Sequence, residues 1–324
     1  AAARLGMLDV LERLVAADPT LVHARGGDGQ TPLHVAATIQ VAAYLLDHGA
    51  ELDARDVDHE STPAQHMVRD RREVARFLVG RGCHTDLLMA AALGDLELVR
   101  SHLAADPGCI RTRVSNVYFP MQDPRAGGHI YRWTIGGSKT AHAVARELGH
   151  EEIFALLMER SPDELRLAVA CELGDEQALA ALLRGRPGLA RTLAADDRRR
   201  LAEAAEDNEA GTVRLMLAAG WPVDARGSFG ATPLHFAAWL GNTEMVREVL
   251  RHHPPVDARS DQHDGTPLDW ALHGSEHSWR RGAGDYATTV ELLLQAGAAP
   301  PPPGAAPQAS EPVRAVLRRH AGVG

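Results

Sequence analysis

Aromatic side chains are scarce in this chain. Phe, Trp and Tyr together make up 4% of 324 residues, while hydrophobic residues as a whole reach 45%. A core of that composition is built from Ala, Leu and Val, which suits closely stacked helices better than β-sandwiches with their aromatic and β-branched interiors. Cysteine is sparse too. Cys83, Cys109 and Cys171 stand far apart with no CxxC pair, which excludes a disulfide framework and fits a reducing cytoplasm. No apolar run is long enough to span a membrane, so no membrane partner is expected. The formal charge of −9 argues against a nucleic-acid partner, which calls for a basic stripe. Full protonation of the 17 histidines would reverse that sign, at about pH 5–6; dispersed surface and turn positions account for most of them. The GxSxG elbow, P-loop, HExxH helix and Rossmann glycine run are all missing. Enzyme activity is therefore not the leading expectation, and no cofactor is expected. The chain begins at Ala1, consistent with a leader removed or left out.

What the chain does have is self-similarity. Gly29-Gln30-Thr31-Pro32-Leu33-His34-Val35-Ala36-Ala37 returns as Gly230-Ala231-Thr232-Pro233-Leu234-His235-Phe236-Ala237-Ala238. Weaker copies begin at Thr62-Pro63 and Thr266-Pro267. Units close on His48-Gly49-Ala50, Ala219-Gly220-Trp221 or Ala296-Gly297-Ala298. Asp53-Ala54-Arg55, Asp224-Ala225-Arg226 and Asp257-Ala258-Arg259 form a third series, whose last two copies lie 33 residues apart. Thr caps a helix whose first turn holds Pro, where a missing N–H costs nothing. Paired alanines let neighbouring helices approach, and the late glycine ends the unit in a left-handed turn. One such unit cannot bury its own apolar face, so units stack.

With TPLHxA and a 33-residue period, the chain resembles the ankyrin-repeat family, in a divergent, bacterial-type form. The resemblance implies an all-α solenoid over 1–298, of about nine to ten helix-turn-helix units. The remaining 299–324 read as a Pro/Ala-rich linker, with a short basic helix from Val313 to His320 as cap or tail. In this family the motif histidine usually bonds between adjacent turns, so His34 and His235 are expected to be structural.

Three departures from the repeat are candidates for function. Between 115 and 138, two β-prone runs flank a Pro/Gly-rich turn and predict a long β-hairpin. It concentrates Tyr118, Phe119, Tyr131 and Trp133, either as packing or as an aromatic wall. A second departure lengthens the connection around 273–287. There His273 and His277 have the i, i+4 spacing of metal ligands, but Gly274 is expected to end the helix and no third ligand is near in sequence; no metal is expected. The third is compression, since units two and three lack residues between their helices.

Family members generally recognise partners through finger-turn tips and positions just after Ala-Ala on the inner helix. Carried onto this chain, those positions give His59, Phe229 and His263 from the fingers, and Asp70, Glu147, Trp239 and His273 from the inner helices, with Trp270 nearby. The leading expectation is a protein-binding module. The alternative is an enzyme or small-molecule binder whose pocket is lined by aromatics, histidines and carboxylates of the hairpin and inner helices. A third possibility is an assembly role for the inserted loops.

Overall fold

The computed structural model describes residues 1–123, 125–302 and 308–321. Pro303 and the Gly/Ala/Pro stretch expected after it, through 307, lie outside the described residues, as does Pro124. The chain forms two compact bodies, Ala1–Ser161 and Pro162–Gly324. Among the described residues no helix is long and apolar enough to cross a membrane.

Each body is a row of antiparallel helix pairs. In the first, Pro32–Val35 pairs with Ile39–Asp47, Pro63–Met67 with Arg72–Gly80, Leu87–Leu93 with Leu96–Ala105, and Ala141–Glu147 with Glu151–Arg160. In the second, the pairs are Asp163–Leu173 with Glu176–Gly185, Ala195–Glu206 with Ala210–Ala219, Pro233–Trp239 with Thr243–Leu250, and Pro267–His277 with Tyr286–Gln295. The expected nine to ten units thus resolve among the described residues as eight pairs. Among the described residues Leu8–Ala17 has no inner helix of its own, and Glu311–Ala321 packs on Tyr286–Gln295, with Val313 and Val316 buried.

The capping chemistry explains the repeat. In four units the Thr backbone N–H is taken up by the side chain three residues on: His34 Nδ1 at 3.0 Å, Gln65 Oε1 at 2.9 Å, His235 Nδ1 at 3.1 Å and Asp269 Oδ2 at 2.9 Å. This reciprocal box satisfies orphan donors of the helix start. The histidines do more, because Nε2 then carries the proton. It donates to the next finger, to the Ser61 carbonyl from His34 at 3.1 Å and to the Gly265 carbonyl from His235 at 3.0 Å. Both rings are fully buried. Arginines that close Ala-Arg turns, Arg226 of the Asp-Ala-Arg series and Arg25 of His23-Ala24-Arg25, serve the same joint from outside. Arg226 Nη1 donates to the carbonyls of Gly230 and Arg259, and Arg25 to those of Gly29 and Arg55.

Two expectations are corrected. No strand occurs among the described residues of 115–138; the sole sheet-like contact is an isolated bridge between Arg113 and Thr140 at the base. The segment turns at Ser115–Phe119 and closes on a short helix, Tyr131–Thr134. Its backbone finds partners on another repeat, as described below, so cross-strand pairing is not needed to satisfy it. Likewise the helix from Pro267 runs through Gly274 to His277. Gly274 permits close approach: a Cβ there would lie 2.5 Å from the Trp239 carbonyl oxygen. We therefore predict that Gly274→Ala destabilises the second body by about 1–3 kcal/mol through overpacking. Gly211→Ala, in open space on Ala210–Ala219, should stabilise it by about 0.5–1 kcal/mol; urea unfolding distinguishes the two.

Candidate functional site

In the first body the 115–138 segment is pinned at its base by Val114 N–H to the Lys139 carbonyl and Ser138 N–H to the Val114 carbonyl, both at 2.9 Å. Its far end rests on the finger Asp56–Ser61. That finger is built around the buried Asp56 carboxylate, which accepts from Ser61 N–H at 2.7 Å and His59 N–H at 3.2 Å. Glu60, held at φ 46°, turns its carboxylate to accept from the Gln122 and Asp123 N–H groups at 2.8 and 2.7 Å. Gly127 N–H donates to the Asp58 carbonyl at 2.7 Å, and His59 Nδ1 to the Gly128 carbonyl at 2.7 Å. Ile130 N–H reaches Ser61 Oγ at 3.2 Å. Two carboxylate-accepted bonds at one residue are a concentrated anchor. Glu60→Ala should speed amide exchange at Gln122 and Asp123 at least tenfold while leaving the helical unfolding midpoint nearly unchanged.

Rings gather at this junction. Phe119 meets His129 at a centroid distance of 4.4 Å and Tyr131 at 5.3 Å, and His59 lies 6.4 Å from Trp133 and 6.0 Å from His66. Of the aromatic residues named from sequence, Trp133 is 66% exposed. Tyr131 is completely buried and donates to Asp86 Oδ2 at 2.8 Å, so it anchors the segment and is closed to a partner. Burial and the Asp86 charge hold its phenol well above the usual range. The Tyr118 ring lies against the Arg113 guanidinium at 5.0 Å. Asp70 lies exposed in the turn after Pro63–Met67, and Glu147 ion-pairs with Lys139; neither joins a ring cluster.

Sequence reasoning missed one group here. Donor atoms of His34, Asp56 and His66 lie within 4.8 Å of one another, with His66 Nε2 3.5 Å from Asp56 Oδ2. The trio does not suit a zinc ion. His34 has no lone pair to give, since Nδ1 accepts from Thr31 and the Nε2 proton goes to Ser61. That leaves two protein ligands, fewer than zinc sites use. No signal in the one-dimensional spacing of residues 34, 56 and 66 marks their convergence, which comes from stacking.

Burial holds two of these imidazoles neutral. The His129 pKa falls to about 3, through burial and then repulsion from His66 and Arg55. That of His34 falls to about 4, chiefly through burial. Both lie below the unfolded value near 6.5, so the associated stability is present above about pH 6.5 and is lost as pH falls toward 4 and 3. By pH 4 the stability lost through His34 alone amounts to about 3 kcal/mol relative to neutral pH. Acid unfolding of the first body should therefore begin below about pH 6, and His129→Gln should flatten its pH dependence relative to wild type.

In the second body, five residues named from sequence form one strip. Phe229 lies 5.2 Å from His263 and 6.4 Å from Trp270; Trp270 lies 6.3 Å from Trp239, which stacks on His273 at 5.6 Å. Phe229 is 43% exposed and adopts φ 60°, in the left-handed region. Its carbonyl accepts from the N–H groups of both Asp261 and Gln262, at 2.9 and 3.2 Å, so the following finger holds the strained backbone in place. His273 and His277 sit 4.3 Å apart on one exposed helix face. Burial, with His277 and His263 nearby, lowers the His273 pKa. Trp279, 69% exposed beyond the helix end, was not among the expected site residues.

Comparison with known proteins agrees with the repeat architecture. A family model described as ankyrin repeats (3 copies) matches residues 1–88 and 201–301. The unmatched stretch between them contains the 115–138 segment. A serine/threonine-protein kinase, VIK, of Arabidopsis thaliana is 49% identical over 68 residues, which are 18% of this chain and 16% of that protein. The chain therefore spans about a sixth of the length of that relative. With the repeat model covering more than half of its residues, the chain belongs to the ankyrin-repeat family.

Proposed function

We propose that this chain is a protein-binding module that recognises its partner through the Phe229–His263–Trp270–Trp239–His273 strip. The observation that carries the reading is the gathering of these rings, in an aromatic-poor chain, at finger-tip and inner-helix positions. Repeats of this family generally mediate protein–protein interaction. Exposed aromatic rings bury much area at little rotamer cost, which makes them good interface anchors. Strain at Phe229 fits a residue presented outward, since packing of its own ring would not require that backbone. The repeat array serves this role over 1–298, with the segment beyond acting as linker and cap. Three free thiols, two of them buried, fit a reducing cytoplasm.

The alternative is a small-molecule site walled by the 115–138 segment. It draws support from the meeting of Phe119, His59 and Trp133. Because Trp133 alone among these rings is largely exposed, the strip in the second body is the preferred site.

A photo-reactive benzoyl-phenylalanine at position 229 should crosslink one partner of discrete mass in extract of the source cells. The same probe at Glu244, exposed on the outer helix, should give none. Trp239→Ala should weaken the interaction by about 2 kcal/mol or more. Equal crosslinking at both positions, or an unaffected Trp239→Ala variant, contradicts this assignment.

A further inference from the structure

The compressed units of the first body leave a hollow. Their inner elements are cut to four residues, Pro32–Val35, and five, Pro63–Met67, against seven in Pro233–Trp239. The outer helices Ile39–Asp47 and Arg72–Gly80 keep nine residues each. Where the missing inner turns would stand, a groove of about 730 Å³ opens between the two helix–helix connections. That volume lies within the range of small-molecule sites.

The lining of this groove is rich in guanidinium groups. It carries four guanidiniums, Arg69, Arg71, Arg72 and Arg76, against two carboxylates, Asp70 and Glu73. Several arginines elsewhere pair with acids, as Arg81 does with Asp47, Arg214 with Glu176 and Arg226 with Asp261, while others such as Arg25 and Arg198 bond carbonyls. Around the groove none of the four makes an ion pair among the described residues, although both carboxylates belong to the same lining. Arg69 donates to the Thr134 carbonyl, Arg71 to the Ala36 carbonyl at 3.1 Å, and Arg76 to the Leu93 carbonyl. Arg72 makes no hydrogen bond or ion pair with the described residues. Arg71 is half-buried and lies in the repulsive field of Arg4, with burial and that charge both lowering its pKa. A protein of net charge −9 thus holds a local excess of guanidinium around one cavity.

We propose that this groove binds a soluble polyphosphate-bearing small molecule. Several guanidiniums around one nucleotide-sized hollow are matched by a ligand with several closely spaced negative charges. Guanidinium forks suit phosphoryl oxygens in bidentate geometry. Arg71, at the N-cap of Arg72–Gly80, makes no side-chain cap, which leaves the first-turn N–H groups free to add to anion recognition. A single carboxylate would engage one arginine and leave the others uncompensated. The site lies within the first body and is independent of the aromatic strip assigned to protein binding.

Inorganic tripolyphosphate is the probe, titrated calorimetrically at constant ionic strength, with citrate as the polycarboxylate comparator. Saturable one-site binding below about 1 mM is expected, with citrate at least tenfold weaker. Arg71→Gln and Arg72→Gln should each weaken tripolyphosphate at least tenfold, whereas Arg81→Gln, whose side chain already pairs with Asp47, should leave it unchanged. Should Arg71→Gln fail to fold, Arg72→Gln carries the test, because its guanidinium makes no bond that folding would lose. Absence of saturable heat at several millimolar, citrate binding as tightly as tripolyphosphate, or unchanged affinity in Arg72→Gln overturns the proposal.

Discussion

The joint on which most of the repeat signature depends is the backbone N–H of the threonine in the capping box that opens four of the eight described inner helices. At Thr31, Thr62 and Thr232 it is a donor buried between repeats, and leaving it unmade there would cost about 1–3 kcal/mol. His34, Gln65, His235 and Asp269 supply the acceptor from the same position, three residues on. Histidine alone among these has a second ring nitrogen aimed at the neighbouring finger carbonyl, so it closes its own helix start and ties its unit to the next. Gln65 achieves a similar link by donating to the Asp86 carboxylate at 3.2 Å. Stacked helices follow from that joint, because each unit offers an apolar face that only its neighbour can cover.

Two of the six non-glycine residues held at positive φ among the described residues sit at fingers that meet another segment. Glu60 and Phe229 both occupy left-handed backbone, where non-glycine residues pay about 1–3 kcal/mol. Each sits at a finger, and each is held by main-chain hydrogen bonds involving a different segment. At Glu60 the strain turns a carboxylate toward two amides of the 115–138 segment. At Phe229 it turns a ring outward beside His263 and Trp270. The same geometric device thus secures an insertion in one body and turns an aromatic ring outward in the other.

Much of this was legible in the sequence, for identifiable reasons. The helix starts were readable because Thr-Pro is a local signal, and the roles of His34 and His235 because their partners repeat with the unit. The strip from Phe229 to His273 was also legible, since finger tips and post-Ala-Ala positions recur in fixed register. The supposed hairpin misled because β-propensity in 115–138 says nothing about where the backbone donors go, and they go to a finger more than 60 residues away. Whether Tyr131 was packing or part of an aromatic wall stayed open for the same reason; it is packing, with its hydroxyl spent on Asp86. Gly274 read as a helix stop, whereas its lack of a Cβ serves a close approach to Trp239 that only packing reveals. The arginine groove was foreshadowed only as compression; the chemistry of its lining emerged when two short units were stacked.

Docking of the inserted segment onto the Asp56–Ser61 finger is the feature that most distinguishes this chain from a plain repeat array. A Cβ at Gly127 would lie 3.2 Å from Asp58 Oδ1 and 3.5 Å from Asp58 Cγ, near the spacing a disulfide requires. The native cysteines interfere little, because burial pushes the thiols of Cys83 and Cys171 up to about 12 and that of Cys109 up to about 11. The most direct test is therefore oxidation of the double variant Asp58→Cys, Gly127→Cys, followed by peptide mapping. The docked segment predicts a rapid, near-quantitative 58–127 crosslink with helical content unchanged. Persistence of both introduced thiols in free form, under conditions that oxidise exposed cysteine pairs, would contradict it.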